Sequence, residues 1–237
     1  MKKSLLVLAL AAAFAPTLVQ AEAGDWVVRL RATNVNPSES SKLGEKTNES
    51  LPAGLNSAIL YGNNSANLSV DSNTIPELDI SYYVTKNIAL ELILALGTKH
   101  DVSISGLGAG AAVNDKKLGE VNLLPPTLTA QWHFNPDQTF DPYVGAGVSY
   151  IRAMDNGLTV TAAGVDHPIR IDRNSWGPAL QVGLDVNLKD GWLVNFDVKK
   201  IWFDTDVKLN AFGTGYRKID SLDVDPLVVS VGFGKKF

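Results

Sequence analysis

The chain has 237 residues, a formal net charge of −4 and no cysteine. The lack of cysteine excludes a disulfide framework and a thiolate metal site, and the acidic balance argues against nucleic acid as a partner. Hydrophobic residues make up 45% of the chain, yet beyond the N-terminal segment no stretch has the roughly 20 apolar residues of a membrane-spanning helix.

Residues 1–21 have the features of a secretory signal peptide. A start containing lysines precedes an apolar run over residues 5–15, and small residues ending at Ala21 form a cleavage site. The run is too short for a membrane-spanning helix. We therefore expect cleavage after Ala21, which leaves Glu22 at the mature N-terminus and a single exported domain, residues 22–237.

Eight segments of this domain alternate apolar and polar side chains with a period of two, which is typical of β-strands. In the clearest segment, residues 87–97, a large apolar side chain recurs at every second position from Ile88, whereas Glu91 lies on the opposite face. In chain order, the predicted strands are residues 25–36, 74–85, 87–97, 121–134, 141–152, 174–188, 191–204 and 224–237.

A wholly apolar face opposite a buried carboxylate favours a strand that faces lipid outside and a polar lumen inside. In lipid, only helices and closed barrels satisfy every backbone polar group. The predicted fold class is therefore all-β: an eight-stranded antiparallel transmembrane β-barrel. A soluble lipocalin-like barrel is disfavoured by the apolar face opposite Glu91 and by the terminal Phe237.

The connections between the predicted strands alternate in length. Outer-membrane barrels have short periplasmic turns and long external loops, so the alternation predicts a Gram-negative outer-membrane protein with both termini in the periplasm. The predicted short turns are residues 85–87, 135–140 and 189–190, and the predicted long loops are residues 37–73, 99–119, 153–173 and 205–223.

Aromatic residues mark the ends of the predicted strands. Trp26, Trp132 and Trp192 fall at the periplasmic ends, where an aromatic girdle is expected, and Trp176 begins a strand at the external end. The terminal Phe237 resembles the signal that the outer-membrane assembly machinery reads. The predicted partners are therefore membrane lipid and that machinery.

Several short motifs are spread along almost the whole mature chain. They are Leu124-Pro125-Pro126-Thr127, Ala130-Gln131-Trp132, Pro142-Tyr143-Val144-Gly145-Ala146-Gly147, Ser175-Trp176-Gly177, Gln181-Val182-Gly183, Trp192-Leu193-Val194-Asn195 and Val224-Asp225-Pro226. Together, and in this order, they resemble the outer membrane protein W (OmpW) family. The resemblance implies an eight-stranded barrel with a narrow external funnel that passes small apolar molecules across the outer membrane, as in the family's alkane-uptake relatives.

The resemblance also implies where the funnel is narrowest. An inward leucine and an inward tryptophan constrict the funnel of the family, and these match Ile93 and Lys199 here. Ile93 keeps the apolar character, whereas Lys199 departs from it, and Trp202 lies three residues further on. We expect the constriction at these three residues, and Lys199 leaves open whether it is wider, more polar or differently built.

Charged side chains on the inward faces are expected to fill the lumen, because an eight-stranded barrel has just enough interior space for side chains. An unpaired buried charge is costly, so opposite charges should pair. Such pairing would close the periplasmic half and disfavour a wide porin; the same charges could instead only hold the barrel together. The predicted inward residues are Arg29, Arg31, Glu77, Asp79, Glu91, Asp185, Asp197 and Lys199.

Pro125 and Pro126 interrupt the pattern of the predicted strand 121–134. Proline lacks the N–H that a ladder needs, and a barrel has no edge strand on which to place it. We hypothesise a lateral opening from the lumen into the bilayer at this position. The alternative is a bulge that only shapes the barrel.

Two of the predicted loops contain further patterns. Residues 106–110 superficially suggest a nucleotide-binding loop but are followed by more loop instead of a helix, so we predict flexible chain there. The first loop is unusually apolar and could form a hydrophobic lip or pack on itself. Its apolar residues are Leu51, Leu55, Ile59, Leu60 and Tyr61.

An enzyme is disfavoured, because no nucleophile accompanies the histidines His100, His133 and His167, and the chain lacks a Gly-x-Ser-x-Gly turn. No His and carboxylate residues have metal-ligand spacing, so neither a cofactor nor a metal is predicted. The remaining alternatives to passage of apolar solutes are a structural or surface-interaction barrel and a narrow channel for small polar solutes.

Overall fold

The computed structural model describes residues 22–52, 56–95, 97–105, 116–162 and 164–237. The predicted signal peptide, Leu55 and residues 106–110 lie outside the described residues.

Two helices, α1 (Leu43–Ser50) and α2 (Ser57–Tyr61), precede the second strand. None of the helices in the described segments is long and apolar enough to cross a membrane. The strands are β1 (Trp26–Asn36), β2 (Asn67–Val70), β3 (Asn73–Tyr83), β4 (Ile88–Ala95), β5 (Thr98–Ser105), β6 (Lys116–Leu124), β7 (Thr127–His133), β8 (Phe140–Asp155), β9 (Gly157–Ala162), β10 (Val165–Ile171), β11 (Asn174–Asn187), β12 (Trp192–Ile201), β13 (Asp204–Asn210), β14 (Tyr216–Asp223) and β15 (Leu227–Lys236).

Eight of these strands close into an antiparallel barrel in the order β1, β3, β4, β7, β8, β11, β12 and β15. The first and last strands complete the closure, because Thr33 of β1 pairs with Ser230 of β15. On its other side β1 pairs with β3, which places Arg31 opposite Glu77. The predicted eight-stranded antiparallel barrel is confirmed.

The barrel is apolar outside and polar inside, which is the reverse of a soluble protein. In β1, Leu30 is 65% exposed whereas the neighbouring Arg29 and Arg31 are buried. This period-two alternation follows from the pleat, which turns successive side chains to opposite faces. An exposed apolar belt around a polar lumen is the surface that a lipid bilayer requires.

The two ends of the barrel differ. At one end, here called the turn end, short connections join β3 to β4, β7 to β8 and β11 to β12, and Trp26, Trp132 and Trp192 are exposed near it. Both ends of the domain meet there, because Phe237 N donates to Trp26 O at 2.8 Å. The opposite end, here called the extended end, carries the helices and the additional strands.

The long connections at the extended end are more ordered than the sequence predicted. β5 and β6 pair with each other within the predicted long connection 99–119, and His100 lies opposite Val121. β14, β13, β10 and β9 form a separate four-stranded sheet within predicted loops 153–173 and 205–223. Pairing between distant loops stabilises these short strands, and the local sequence pattern does not reveal it.

The predicted strand 121–134 is two strands, β6 and β7, because the chain breaks at Pro125 and Pro126. On the side of β4, Ile93 pairs with Thr127. β6 instead continues the sheet through β5, where Thr98 pairs with Leu123.

The apolar residues of the first loop pack inward at the extended end. Leu60 and Tyr61 are fully buried in an apolar cluster that includes Leu43 of α1 and Ile104 of β5. Burial raises the pKa of Tyr61 to about 12, and its hydroxyl lies 3.3 Å from Thr47 Oγ1. Leu51 is also buried, whereas Ile59 is half exposed. Most of these side chains therefore form part of a core over the barrel.

Candidate functional site: an apolar cavity above a charged cluster

Arg29 and Arg31 organise the polar interior of the barrel. Both project inward from β1, because they occupy alternate positions opposite the lipid-facing residues. Arg29 Nη2 lies 2.6 Å from Asp185 Oδ2, and Arg29 Nη1 lies 3.1 Å from Asp79 Oδ1. Arg31 also pairs with Asp79, so this carboxylate joins the two guanidinium groups.

Arg31 contacts further carboxylates on three other strands. Its Nη1 lies 3.2 Å from Glu77 Oε1 and 4.0 Å from Asp197 Oδ1, and its Nη2 lies 2.9 Å from Glu91 Oε1. These groups are at most 3% exposed. We define the charged cluster as these two arginines and their acidic partners, namely Arg29, Arg31, Glu77, Asp79, Glu91, Asp185 and Asp197.

Neutral side chains donate further hydrogen bonds to the carboxylates. Gln181 Nε2 donates to Glu91 Oε2 at 2.7 Å, and Tyr143 Oη donates to Asp197 Oδ2 at 2.9 Å. Asn195 Nδ2 donates to Asp185 Oδ1 at 2.7 Å. A buried ion pair offsets its desolvation only when such additional hydrogen bonds are present. The structure therefore brings the seven residues of the charged cluster into one connected network.

Further polar residues lie beside the cluster toward the turn end, on the inward faces of β3, β7 and β8. His133 Nδ1 lies 2.7 Å from Asp141 Oδ2, and Tyr83 Oη contacts the same imidazole. Potential ligand atoms of His133, Asp141 and Asp185 lie within 4.8 Å of one another and could hold a metal ion. Inward parity along β8 is the signal that also places Asp141 in the lumen.

The three histidines occupy separate parts of the molecule. His133 belongs to the polar network at the turn end, whereas His100 lies near the extended end, where its Nδ1 is 2.8 Å from Asp71 O. His167 is buried in β10. Their placement does not bring two histidines together at one centre.

An apolar cavity lies above the charged cluster, toward the extended end. Its empty volume is about 670 Å³, including its open mouth. Because the strands continue beyond the cluster with apolar inward side chains, this half of the lumen is not filled by charges. The residues that line the cavity include Ile75, Glu77, Ile93, Ala95, Thr98, His100, Leu123, Pro125, Thr127, Ile151, Lys199, Ile201, Phe203 and Val224.

The predicted constriction residues have different positions. Ile93 and Lys199 are buried and line the cavity where it meets the charged cluster. Trp202 is 37% exposed and is absent from the cavity lining, whereas the next residue, Phe203, lines it. Lys199 points inward, so a residue three positions further along an extended chain faces outward.

The wall beside the cavity is incomplete at Pro125 and Pro126. Between the pair Ile93–Thr127 and the pair Thr98–Leu123, the described residues form no strand pairing across the wall. Across the other side of the prolines, Tyr150 N still donates to Pro126 O at 2.9 Å. The break therefore separates the segment from β4 and β5 but leaves it attached to β8.

Comparisons with protein families, with individual proteins and with solved structures all point to the same family. The model of the OmpW family matches residues 22–237. Outer membrane protein W of Vibrio cholerae serotype O1 is 34% identical over the full length of both chains. Outer membrane protein AlkL of Ectopseudomonas oleovorans is 30% identical, covering 88% of this chain and 80% of the relative.

A solved structure supports the same relationship at the level of the fold. The crystal structure of outer membrane protein OprG from Pseudomonas aeruginosa superposes with a TM-score of 0.71 and 29% identity. The match covers 91% of this chain and 97% of OprG.

Proposed function

Because the chain belongs to the OmpW family of outer-membrane β-barrels, we propose that it passes small hydrophobic molecules across the outer membrane through its apolar cavity. The observation that carries this proposal is the contrast within one lumen. The half toward the extended end is a mostly apolar cavity, whereas the half toward the turn end is filled by the charged cluster. Transfer of an apolar solute from water into the apolar half lowers its free energy. Entry into the charged half would instead require it to disrupt ion pairs.

We propose that the solute leaves sideways through the wall at Pro125 and Pro126. Two observations support this route. The prolines lie in the unpaired segment between the pairs Ile93–Thr127 and Thr98–Leu123, and Ala95 and Pro125 line the cavity from the two sides of that segment. A solute at the cavity floor is therefore next to this break in the wall and would reach the bilayer core without crossing the charged cluster.

In the proposed orientation, the turn end faces the periplasm and the extended end faces the outside. Short turns and both ends of the domain lie together at the turn end, as in outer-membrane barrels generally. We further propose that residues 1–21 are removed during export and that exposed Phe237 is read by the assembly machinery. Membrane lipid contacts the apolar belt.

Uptake of a labelled alkane by cells with and without the protein tests the proposal. We expect uptake to require the protein and to fall to the background level in Ile93→Asp, because a carboxylate at the cavity floor removes the apolar surface. Ile93→Leu is the matched control and should retain uptake. Both variants must first be shown to be folded in the outer membrane by the faster gel migration of unheated samples.

A structural or surface-interaction barrel is the second candidate function. The observation that favours it is the fully connected charged cluster, which stabilises a closed barrel whether or not a solute passes. The same cluster argues against a narrow channel for polar solutes, because paired side chains fill the axis. Protein-independent uptake of several apolar solutes would favour the structural function over transport.

A further inference from the structure

Lys199 differs from the other polar side chains in the cavity wall. Glu77, Thr98, His100 and Thr127 each form at least one hydrogen bond. Lys199 is 2% exposed and lines the cavity, yet within the described residues its ammonium makes an ion pair and no hydrogen bond. The cavity lining therefore contains a buried cation that forms no hydrogen bond with the part of the chain that the structure describes.

The nearest carboxylate does not satisfy this ammonium. Lys199 Nζ lies 3.7 Å from Asp197 Oδ1, which is beyond hydrogen-bonding distance. The other oxygen of Asp197 accepts the Tyr143 hydroxyl at 2.9 Å. An ammonium carries three donors, and leaving them without acceptors in an apolar environment is costly.

Acidic groups near the cavity floor must be considered before an anion is placed there. Glu77, Glu91 and Asp197 would repel a further negative charge, but all three already face the guanidinium of Arg31. Arg31 Nη1 lies 3.2 Å from Glu77 Oε1 and 4.0 Å from Asp197 Oδ1. Lys199, whose ion pair with Asp197 is long at 3.7 Å, is the cation that a molecule entering the cavity meets at the cavity floor.

We propose that the cavity selects amphipathic monocarboxylates, with the carboxylate on Lys199 and the apolar tail toward the extended end. This inference rests on the proposed function and names a substrate class for the same site. A carboxylate would supply the missing acceptors as charge-assisted hydrogen bonds, which are roughly twice as strong as neutral ones. The tail would contact the apolar wall formed by Ile75, Leu123, Ile151, Ile201, Phe203 and Val224.

Neutral acceptors such as alcohols would satisfy the donors less well, because they carry no charge to offset that of the ammonium. A plain hydrocarbon would leave the ammonium without an acceptor. The proposal therefore predicts an order of affinity, with a carboxylate above an alcohol of the same chain length. The apolar tail contributes equally to the binding of the two ligands, so the ratio of their affinities measures the contribution of the head group.

Equilibrium dialysis tests this order with radiolabelled decanoate and 1-decanol, at pH 8, against the purified full barrel in nonionic micelles, with protein-free micelles as the blank. We expect the wild type to bind decanoate about tenfold more tightly than decanol, which corresponds to about 1.4 kcal/mol. In Lys199→Met the preference should fall to within about twofold, and Lys199→Arg should keep it.

The neighbouring lysine provides a matched control. Lys200 faces the opposite side of β12 and donates to Asp225 O, so Lys200→Met removes the same charge without changing the cavity and should keep the preference. Equal binding of the two ligands by the wild type overturns the inference, and this result does not depend on whether a variant folds. A preference that persists in folded Lys199→Met also overturns it.

Failure of the proposed selection by Lys199 can be distinguished from failure of the proposed transport function. Protein-dependent uptake of an alkane without a preference for decanoate would leave the proposed function standing and overturn only the selection by Lys199. A decanoate preference that requires Lys199, together with uptake that is independent of the protein for both ligands, would support the binding site and contradict transport.

Discussion

Arg31 is the side chain on which the charged cluster converges. It contacts Glu77, Asp79, Glu91 and Asp197, so replacing it with methionine leaves buried carboxylates without their shared cation. We expect Arg31→Met to lower the free energy of unfolding by about 3–5 kcal/mol. Urea titration of the barrel refolded in lipid vesicles, followed by gel migration, measures this change.

The control for Arg31 is an arginine on the outer face. Arg152 lies on β8 and is exposed, so Arg152→Met should change the free energy of unfolding by at most about 0.5 kcal/mol. Equal destabilisation by the two variants would show that the cluster does not stabilise the barrel through its ion pairs.

Gly183 makes room for a buried aromatic ring of the network. A Cβ at this position would overlap the Tyr143 ring, whose hydroxyl donates to Asp197 at 2.9 Å. We expect Gly183→Ala to cost about 1–3 kcal/mol through overpacking. At Gly157 the nearest atom to an added Cβ is 3.9 Å away, so Gly157→Ala should be nearly neutral in the same urea titration, and a similar loss at both positions would contradict the steric argument.

At the residue scale, side-chain parity was the reliable part of the sequence analysis. It placed Arg29, Arg31 and Glu91 in the lumen because the period of two is set by the pleat itself. Side-chain parity does not place Trp202 in the lumen, because Trp202 lies an odd number of residues after the inward Lys199 and therefore faces outward. The contacts of Tyr143 could not be predicted, because they depend on the register and curvature of strands that are distant in sequence.

At the scale of elements, the break between β6 and β7 is the feature with the clearest functional consequence. In the double variant Pro125→Val with Pro126→Val, both residues regain an N–H and favour extended chain, so pairing with the neighbouring strands should close the wall. We expect alkane uptake to fall close to that of cells lacking the protein, while the barrel remains folded.

A proline elsewhere in the wall controls for the substitution itself. Pro178 lies on the outer face of β11, where its carbonyl accepts from Trp202 N at 3.1 Å, and β8 separates it from the unpaired segment. Pro178→Val should leave uptake unchanged. Unaltered uptake in the double variant would show that the prolines only bend the wall.

The elements within the membrane were predictable and those beyond it were not. Residues 25–36 and the observed β1 nearly coincide, because lipid outside and charge inside impose a strict alternation. At the extended end, β9 pairs with β10 and β10 pairs with β13, and burial follows from the packing of several loops. Such strands lack one uniform apolar face, so their sequence predicted loops.

The whole molecule combines an apolar exterior with a lumen that changes character along its axis. Barrel closure and the external belt follow from the solvent, since a bilayer tolerates neither open edges nor unpaired backbone groups. The division of the lumen does not follow from that requirement. It depends on where the charged residues end along each inward face, which Ile93 and Lys199 mark at the cavity floor.

The orientation of the whole barrel can be tested because the chain contains no cysteine. Lys46 lies on α1 at the extended end and Lys86 lies in the turn between β3 and β4, and their side chains are similarly exposed, at 46% and 51%. If the extended end faces outward, a large membrane-impermeant maleimide should label Lys46→Cys on intact cells. It should label Lys86→Cys only after the outer membrane is permeabilised. The reverse pattern would mean that the charged cluster, rather than the apolar cavity, faces the outside, and an external funnel would then be impossible.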